Sequence, residues 1–197
     1  MKRSLVWVCA LAFAGAVGAA DLETGKRQVE EKQFAQAEGT LREVVAAEPD
    51  NADANYYLGK ALIGEKKYAE SEEFLRKAAE SKPEARVALG EAYMFQEKLD
   101  EAMNELNQAE ESQSSNPDLY LFRGMIHLKR ENASEAATQF DKALALDPKK
   151  AYAHYYMGLA QSRLKRNDLM VKHFEMFLQL EPRAPEAARV RSLLRSL

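Results

Sequence analysis

Apolar side chains recur three, four and seven positions apart along most of this chain, and short charged stretches interrupt them at intervals. Over residues 52–82, Leu58, Gly59 and Leu62 share one stripe, Glu65-Lys66-Lys67 follows as a polar break, and Tyr68, Leu75 and Ala78 share a second stripe. Such spacings bring side chains onto one face of an α-helix. The segment therefore reads as two helices joined by a tight polar turn. Ala, Glu, Leu, Lys and Gln dominate, and no long β-branched run suggests a strand.

The same pattern repeats. Gly25, Gly59, Gly90, Gly124 and Gly158 stand at one register, separated by 34, 31, 34 and 34 residues. Pro49, Pro83, Pro148 and Pro182 each lie 24 residues after one of these glycines. Four prolines thus close second helices, while Pro117 and Pro185 are placed to open helices, where the ring costs little. The spacing predicts units at 18–51, 52–82, 83–116, 117–150 and 151–184. Pro83 both ends the short second unit and opens the third. Ser112-Gln113-Ser114-Ser115-Asn116 reads as the longest loop-like stretch. Residues 185–197 predict an amphipathic capping helix, with Ala187, Val190, Leu194 and Leu197 on one side and Arg189, Arg191 and Arg195 on the other. The fold expected is all-α, five antiparallel helix pairs plus a C-terminal cap, stacked as a solenoid.

The first twenty residues differ. Lys2 and Arg3 precede an uncharged apolar run from Leu5 to Val17, followed by Gly18, Ala19 and Ala20. That is the layout of a cleavable secretory signal peptide over residues 1–20, cut after Ala19 or Ala20, and the run is short for a membrane span. A periplasmic or secreted protein is expected, with membrane contact only through this transient segment. Cleavage removes Cys9, the only cysteine, leaving neither disulfide nor thiolate chemistry. Val6, Trp7 and Val8 lack the small residues that lipid attachment at Cys9 would require. The mature chain carries 26 basic against 31 acidic residues with no basic patch, which argues against nucleic acid.

The chain resembles the tetratricopeptide repeat family along nearly all of residues 21–184. The residues that carry the resemblance are Tyr120, Gly124, Ala136, Phe140, Ala143 and Pro148 in the fourth unit, and Leu58, Gly59, Tyr68, Ala78 and Pro83 in the second. Leu89, Gly90, Tyr93, Ala102 and Ala109 mark the third unit, and Gly25, Phe34, Ala37 and Pro49 the first. The fifth keeps Met157, Gly158, Phe174 and Pro182 but has Met170 and Phe177 where the family pattern has alanine. The resemblance implies a right-handed superhelical solenoid whose first helices line a concave, peptide-binding surface.

On that face stand Tyr56, Lys60, Glu91, Met94, Phe95, Leu121, Met125, Tyr152 and Tyr155, the candidate partner-binding residues, with Ile63, Val87, Leu128 and Leu159 between them. Aromatic and methionine side chains suit adaptable protein contacts; the competing role is packing between units. Chaperone-binding members of the family grip a terminal carboxylate with Lys, Arg and Asn on successive first helices. Here Tyr56, Val87 and Leu121 occupy that face, and Glu91 and Asp118 would repel a carboxylate.

No phosphate-binding glycine loop, His-Glu-x-x-His motif or cysteine nucleophile is present in the mature chain. His127 and His154 are placed to approach each other between units, as structural histidines without a third metal ligand. The function expected is a non-catalytic protein–protein interaction scaffold, with no cofactor, metal or small-molecule substrate. The alternative is a self-assembling subunit of an envelope complex.

Overall fold

The computed structural model describes residues 21–196; the signal peptide expected over residues 1–20, and Leu197, lie outside the described residues. Among the described residues the chain consists of helices and short connections, with no strand. Helix α1 covers residues 21–30. Then follow α2 (Phe34–Ala47), α3 (Ala52–Gly64), α4 (Tyr68–Ala79), α5 (Glu84–Phe95) and α6 (Leu99–Gln113). Next come α7 (Pro117–Lys129), α8 (Ala133–Leu146), α9 (Ala151–Arg163), α10 (Asn167–Leu180) and α11 (Ala187–Arg195). No helix among the described residues is long and apolar enough to cross a membrane.

The helices form two compact units, one ending at Glu105 and one starting at Leu106. In the first, α2 packs on α3, α3 on α4, α4 on α5, and α3 also reaches α5. In the second, α7 packs on α8, α8 on α9, α9 on α10 and α10 on α11, while α7 reaches α9. Contact between successive first helices, as well as within each pair, defines the paired repeat arrangement.

The glycine register has a direct steric cause. A Cβ on Gly25 or Gly59 would sit 2.5 Å from Leu41 or Leu75, and one on Gly158 would sit 2.5 Å from Phe174; at Gly124 it would run into Phe140. In every case the obstructing side chain lies 16 residues on, in the second helix of the same pair, and is fully buried. The bulky second-helix residue fills the space that the first helix leaves open. Gly39 on α2 is different: nothing lies within 4 Å of its Cβ position.

The turns within pairs repeat as closely. Lys32, Lys66, Glu97, Glu131 and Lys165 have φ between 58° and 63°, each seven residues after a register glycine. Each occupies the left-handed conformation that reverses the chain after a first helix, at a cost of about 1 kcal/mol for a side-chain-bearing residue. The following amide closes the motif on a carbonyl five residues back: Gln33 to Gln28, Lys67 to Leu62, Lys98 to Tyr93, Asn132 to His127 and Arg166 to Gln161, at 2.8–3.0 Å.

Two first helices are capped by an asparagine side chain, whereas Asn132 ahead of α8 makes no such bond. Asn51 Oδ1 accepts from the Ala54 amide at 3.0 Å, and Asn116 Oδ1 accepts from the Asp118 amide at 2.9 Å ahead of Pro117 at the first helical position. Pro185 stands two residues before α11. One expectation is corrected: the stretch from Ser112 to Asn116 is not all loop. Helix α6 continues through Gln113, leaving only residues 114–116 to connect it to α7.

In the second unit, Met170 and Phe177, which replace the small residues of the repeat pattern, are buried with Tyr155, Phe174 and Val190 in one cluster. Val190 comes from α11, so the two bulky departures supply the surface on which the cap sits.

Candidate functional site

The first-helix positions divide by depth. Met94 is fully enclosed, and Leu121, Met125 and Tyr155 are 6–8% exposed, so these four side chains are engaged in packing. Val87 is buried as well. Tyr56 and Glu91 are half-buried, Lys60 is exposed, and Phe95 and Tyr152 are 39% and 37% exposed. Three before the glycine, Val87, Leu121 and Tyr155 are buried and Tyr56 is half-buried; one after it, Met125 is buried, Glu91 half-buried and Lys60 exposed.

In the first unit the surface-reaching residues form two aromatic spots. The ring of Tyr56 meets that of Tyr57 edge-on at 5.1 Å, with Lys60 Nζ 5.5 Å and Lys82 Nζ 5.3 Å from the Tyr56 ring centre. Lys82 is held at 2.9 Å from Asp53, which Lys26 also approaches at 3.7 Å. The hydrogen bond from Lys82 is the main cause holding the Asp53 carboxyl below its ordinary range. The second spot is Phe95 stacked on Tyr68, centroids 4.8 Å apart and planes 14° from parallel. Burial, with Glu91 beside it, raises the Tyr68 phenol above its usual pKa. Tyr68 and Lys82 escaped the reading of the sequence because neither belongs to a first helix.

The ion pair Asp53–Lys82 recurs in the second unit as Asp118–Lys150, at 2.7 Å. Each joins the first turn of one first helix to the start of the next, so both lysines already have a carboxylate. Elsewhere in the first unit the bond from Lys67, at 2.6 Å, is the main cause pulling the Glu38 carboxyl down to about 2. These pairs lie largely at the surface and add little stability each.

In the second unit Tyr152 donates from its hydroxyl to Glu186 Oε2 at 3.2 Å and meets Phe177 edge-on at 5.8 Å. Tyr156, beside it at 6.5 Å, is driven up to about 12 by burial.

The histidines correct an expectation. His154 pairs with His173 of α10 and not with His127: the two Nδ1 atoms are 3.0 Å apart. His154 lies on α9 facing the second helix of its own pair, which puts His173, 19 residues on, opposite it. His154 Nε2 also lies 3.1 Å from the Pro148 carbonyl. Asn55, at the same repeat position four before its glycine, donates from Nδ2 to the Pro49 carbonyl at 2.8 Å. Burial lowers the His173 pKa to about 4, with His154 and Lys172 adding to the effect. His127 Nδ1 is buried without a hydrogen-bond partner, and burial lowers this ring's pKa too. Among the described residues no group of three or more His, Cys, Asp or Glu side chains converges.

Models of the tetratricopeptide repeat match residues 28–88, 87–151 and 127–185. No curated protein matches the sequence. Among solved structures, the chain is similar to TTC0263, a thermophilic TPR protein of Thermus thermophilus, at 18% identity over 90% of this chain and 98% of that one, with a TM-score of 0.77. It is similar to PilF of Pseudomonas aeruginosa at 18% identity, covering 92% and 86%, TM-score 0.73. A MamA protein shares 22% identity over 89% and 96%, TM-score 0.64. At these identities the likeness concerns the fold. Tetratricopeptide repeats are generally non-catalytic scaffolds that bind protein partners. With family matches running from residue 28 to residue 185, the chain belongs to the tetratricopeptide repeat family.

Proposed function

We propose that this protein is a non-catalytic scaffold of the bacterial periplasm or cell envelope that captures an extended segment of a partner protein on its first-helix face. The observation that carries this reading is the pair of aromatic spots in the first unit, Tyr56 under Lys60 and Lys82, and Phe95 on Tyr68. Each is anchored by a neighbouring ring, so a partner does not have to order it on arrival. Aromatic side chains are enriched among the residues that carry binding energy at protein interfaces. Lys60 lies close to the Tyr56 and Tyr57 rings and, unlike Lys82 and Lys150, forms no ion pair among the described residues. It is placed to meet acidic or carbonyl groups of the partner. The leader's charge and apolar pattern supports export.

Affinity capture from envelope extracts tests this. Phe95→Ala and Tyr56→Ala should each reduce recovery of a bound protein about tenfold or more, in line with an interface hot spot. Tyr155→Ala is the packing comparison, since Tyr155 is buried in the α9–α11 cluster. Phe95→Ala should leave the melting temperature within about 2 °C of wild type, as expected for a surface position. Capture unchanged by both surface variants, or lost only in step with folding, refutes the reading.

A further inference from the structure

Two imidazole nitrogens converge in the second unit, and the hydrogen bonding around them decides what they present. The Pro148 carbonyl can only accept, so His154 Nε2, 3.1 Å away, carries the proton. In the neutral ring that leaves a lone pair on His154 Nδ1, which points at His173 Nδ1 at 3.0 Å. A histidine fixed through one nitrogen by a backbone carbonyl, with the other nitrogen free to donate electrons, is the arrangement that orients metal ligands.

We propose that His154 and His173 form a two-imidazole site for a divalent transition-metal ion of the Zn2+ or Cu2+ class. A tetrahedral ion with metal–nitrogen bonds of about 2.0–2.1 Å holds its two nitrogens about 3.3 Å apart. The observed 3.0 Å separation requires an opening of a few tenths of an ångström and a turn of the rings, so that both Nδ1 lone pairs meet at the ion. Without metal, one proton sits between the Nδ1 atoms, donated by His173. On binding, His173 changes tautomer: Nδ1 gives up that proton to solvent and Nε2 takes one up, so Nδ1 can coordinate and no net proton is released from the pair. No third His, Cys, Asp or Glu joins them among the described residues. Water completes the coordination, and binding is weaker than at a closed four-ligand structural site. The two ligands belong to the two helices of one pair, α9 and α10, so the ion ties that pair together.

Asn55 supplies the control. It makes the same bond to its proline carbonyl without offering a ring nitrogen, so His154→Asn keeps the structural bond and deletes the ligand. The full chain carrying Cys9→Ser, which removes the only thiol, is titrated calorimetrically with Zn2+ and with Cu2+, and melted with and without each ion. One equivalent should bind, Cu2+ more tightly than Zn2+, and the melting temperature should rise with the ion. His154→Asn and His173→Asn should each weaken binding at least about tenfold and abolish the thermal shift, while His127→Asn leaves both unchanged. His173→Asn decides the matter if His154→Asn fails to fold. No saturable binding of either ion, binding that survives both ligand variants, or an equal loss in His127→Asn overturns the site.

Discussion

Replacing Gly124 with alanine should lower the stability of the protein, whereas the same replacement at Gly39 should raise it. Both glycines lie within helices, and alanine at an unobstructed helical site gains about 1 kcal/mol. At Gly39 nothing opposes that gain. At Gly124 the new methyl group enters the space held by the Phe140 ring, which is fully buried and has no open side to move toward. Overpacking of a filled core costs about 1–3 kcal/mol, which exceeds the gain in propensity. Circular-dichroism melts should move in opposite directions, by about 2–4 °C for each kcal/mol in a chain of this size. Two upward shifts would show that the paired helices are not held as closely as described.

Phe174→Ala should be the most damaging single substitution considered. Phe174 is fully buried, fills the space opposite Gly158, and packs with Tyr155, Phe177 and Val190. Removing a core phenylalanine costs about 3–5 kcal/mol. The same contact predicts a departure from additivity. Gly158→Ala alone drives a methyl group into the ring, but beside Phe174→Ala it enters vacated space and partly fills the cavity. The double variant should therefore lose less than the two single losses combined, by about 0.5–3 kcal/mol. Urea unfolding of the four proteins measures that coupling. Simple additivity would mean that glycine and phenylalanine do not act as one contact.

How far the molecule could be read from its residues depended on whether a position's residue type reports its neighbour. The glycines and prolines do, because each meets a steric demand that few other residues satisfy, and helix pairing followed from them. The left-handed turns at Lys32, Lys66, Glu97, Glu131 and Lys165 stand in strict register, yet their side chains are ordinary charged ones that carry no turn signal. Ser112 and Gln113 look like loop residues but extend α6, where the preceding helix overrides weak local preference.

Spacing assigned the candidate residues to a helix face but carried no information on their depth. An apolar stripe does not show whether the adjacent first helix covers it. Tyr56 and Tyr155 share a repeat position, but only Tyr155 is enclosed, by the aromatic cluster beneath α11. The histidine pair was misassigned for a related reason. Neighbouring repeats suggested His127 as the partner of His154, whereas the antiparallel return of α10 brings His173 to it. Met170 and Phe177 read as departures from the family pattern, and the cap explains them once its packing is seen.

The proposed function rests on the aromatic spots of the first unit receiving a partner. A photo-crosslinking amino acid placed at Phe95, and in a second protein at Ala69 on the exposed side of α4, tests this in living cells. A partner seated on these spots gives a discrete cross-linked protein species from position 95, reduced when Tyr56 is also changed to alanine, and none from position 69. Cross-links that are equal at the two positions, or absent from position 95, would contradict the proposed function.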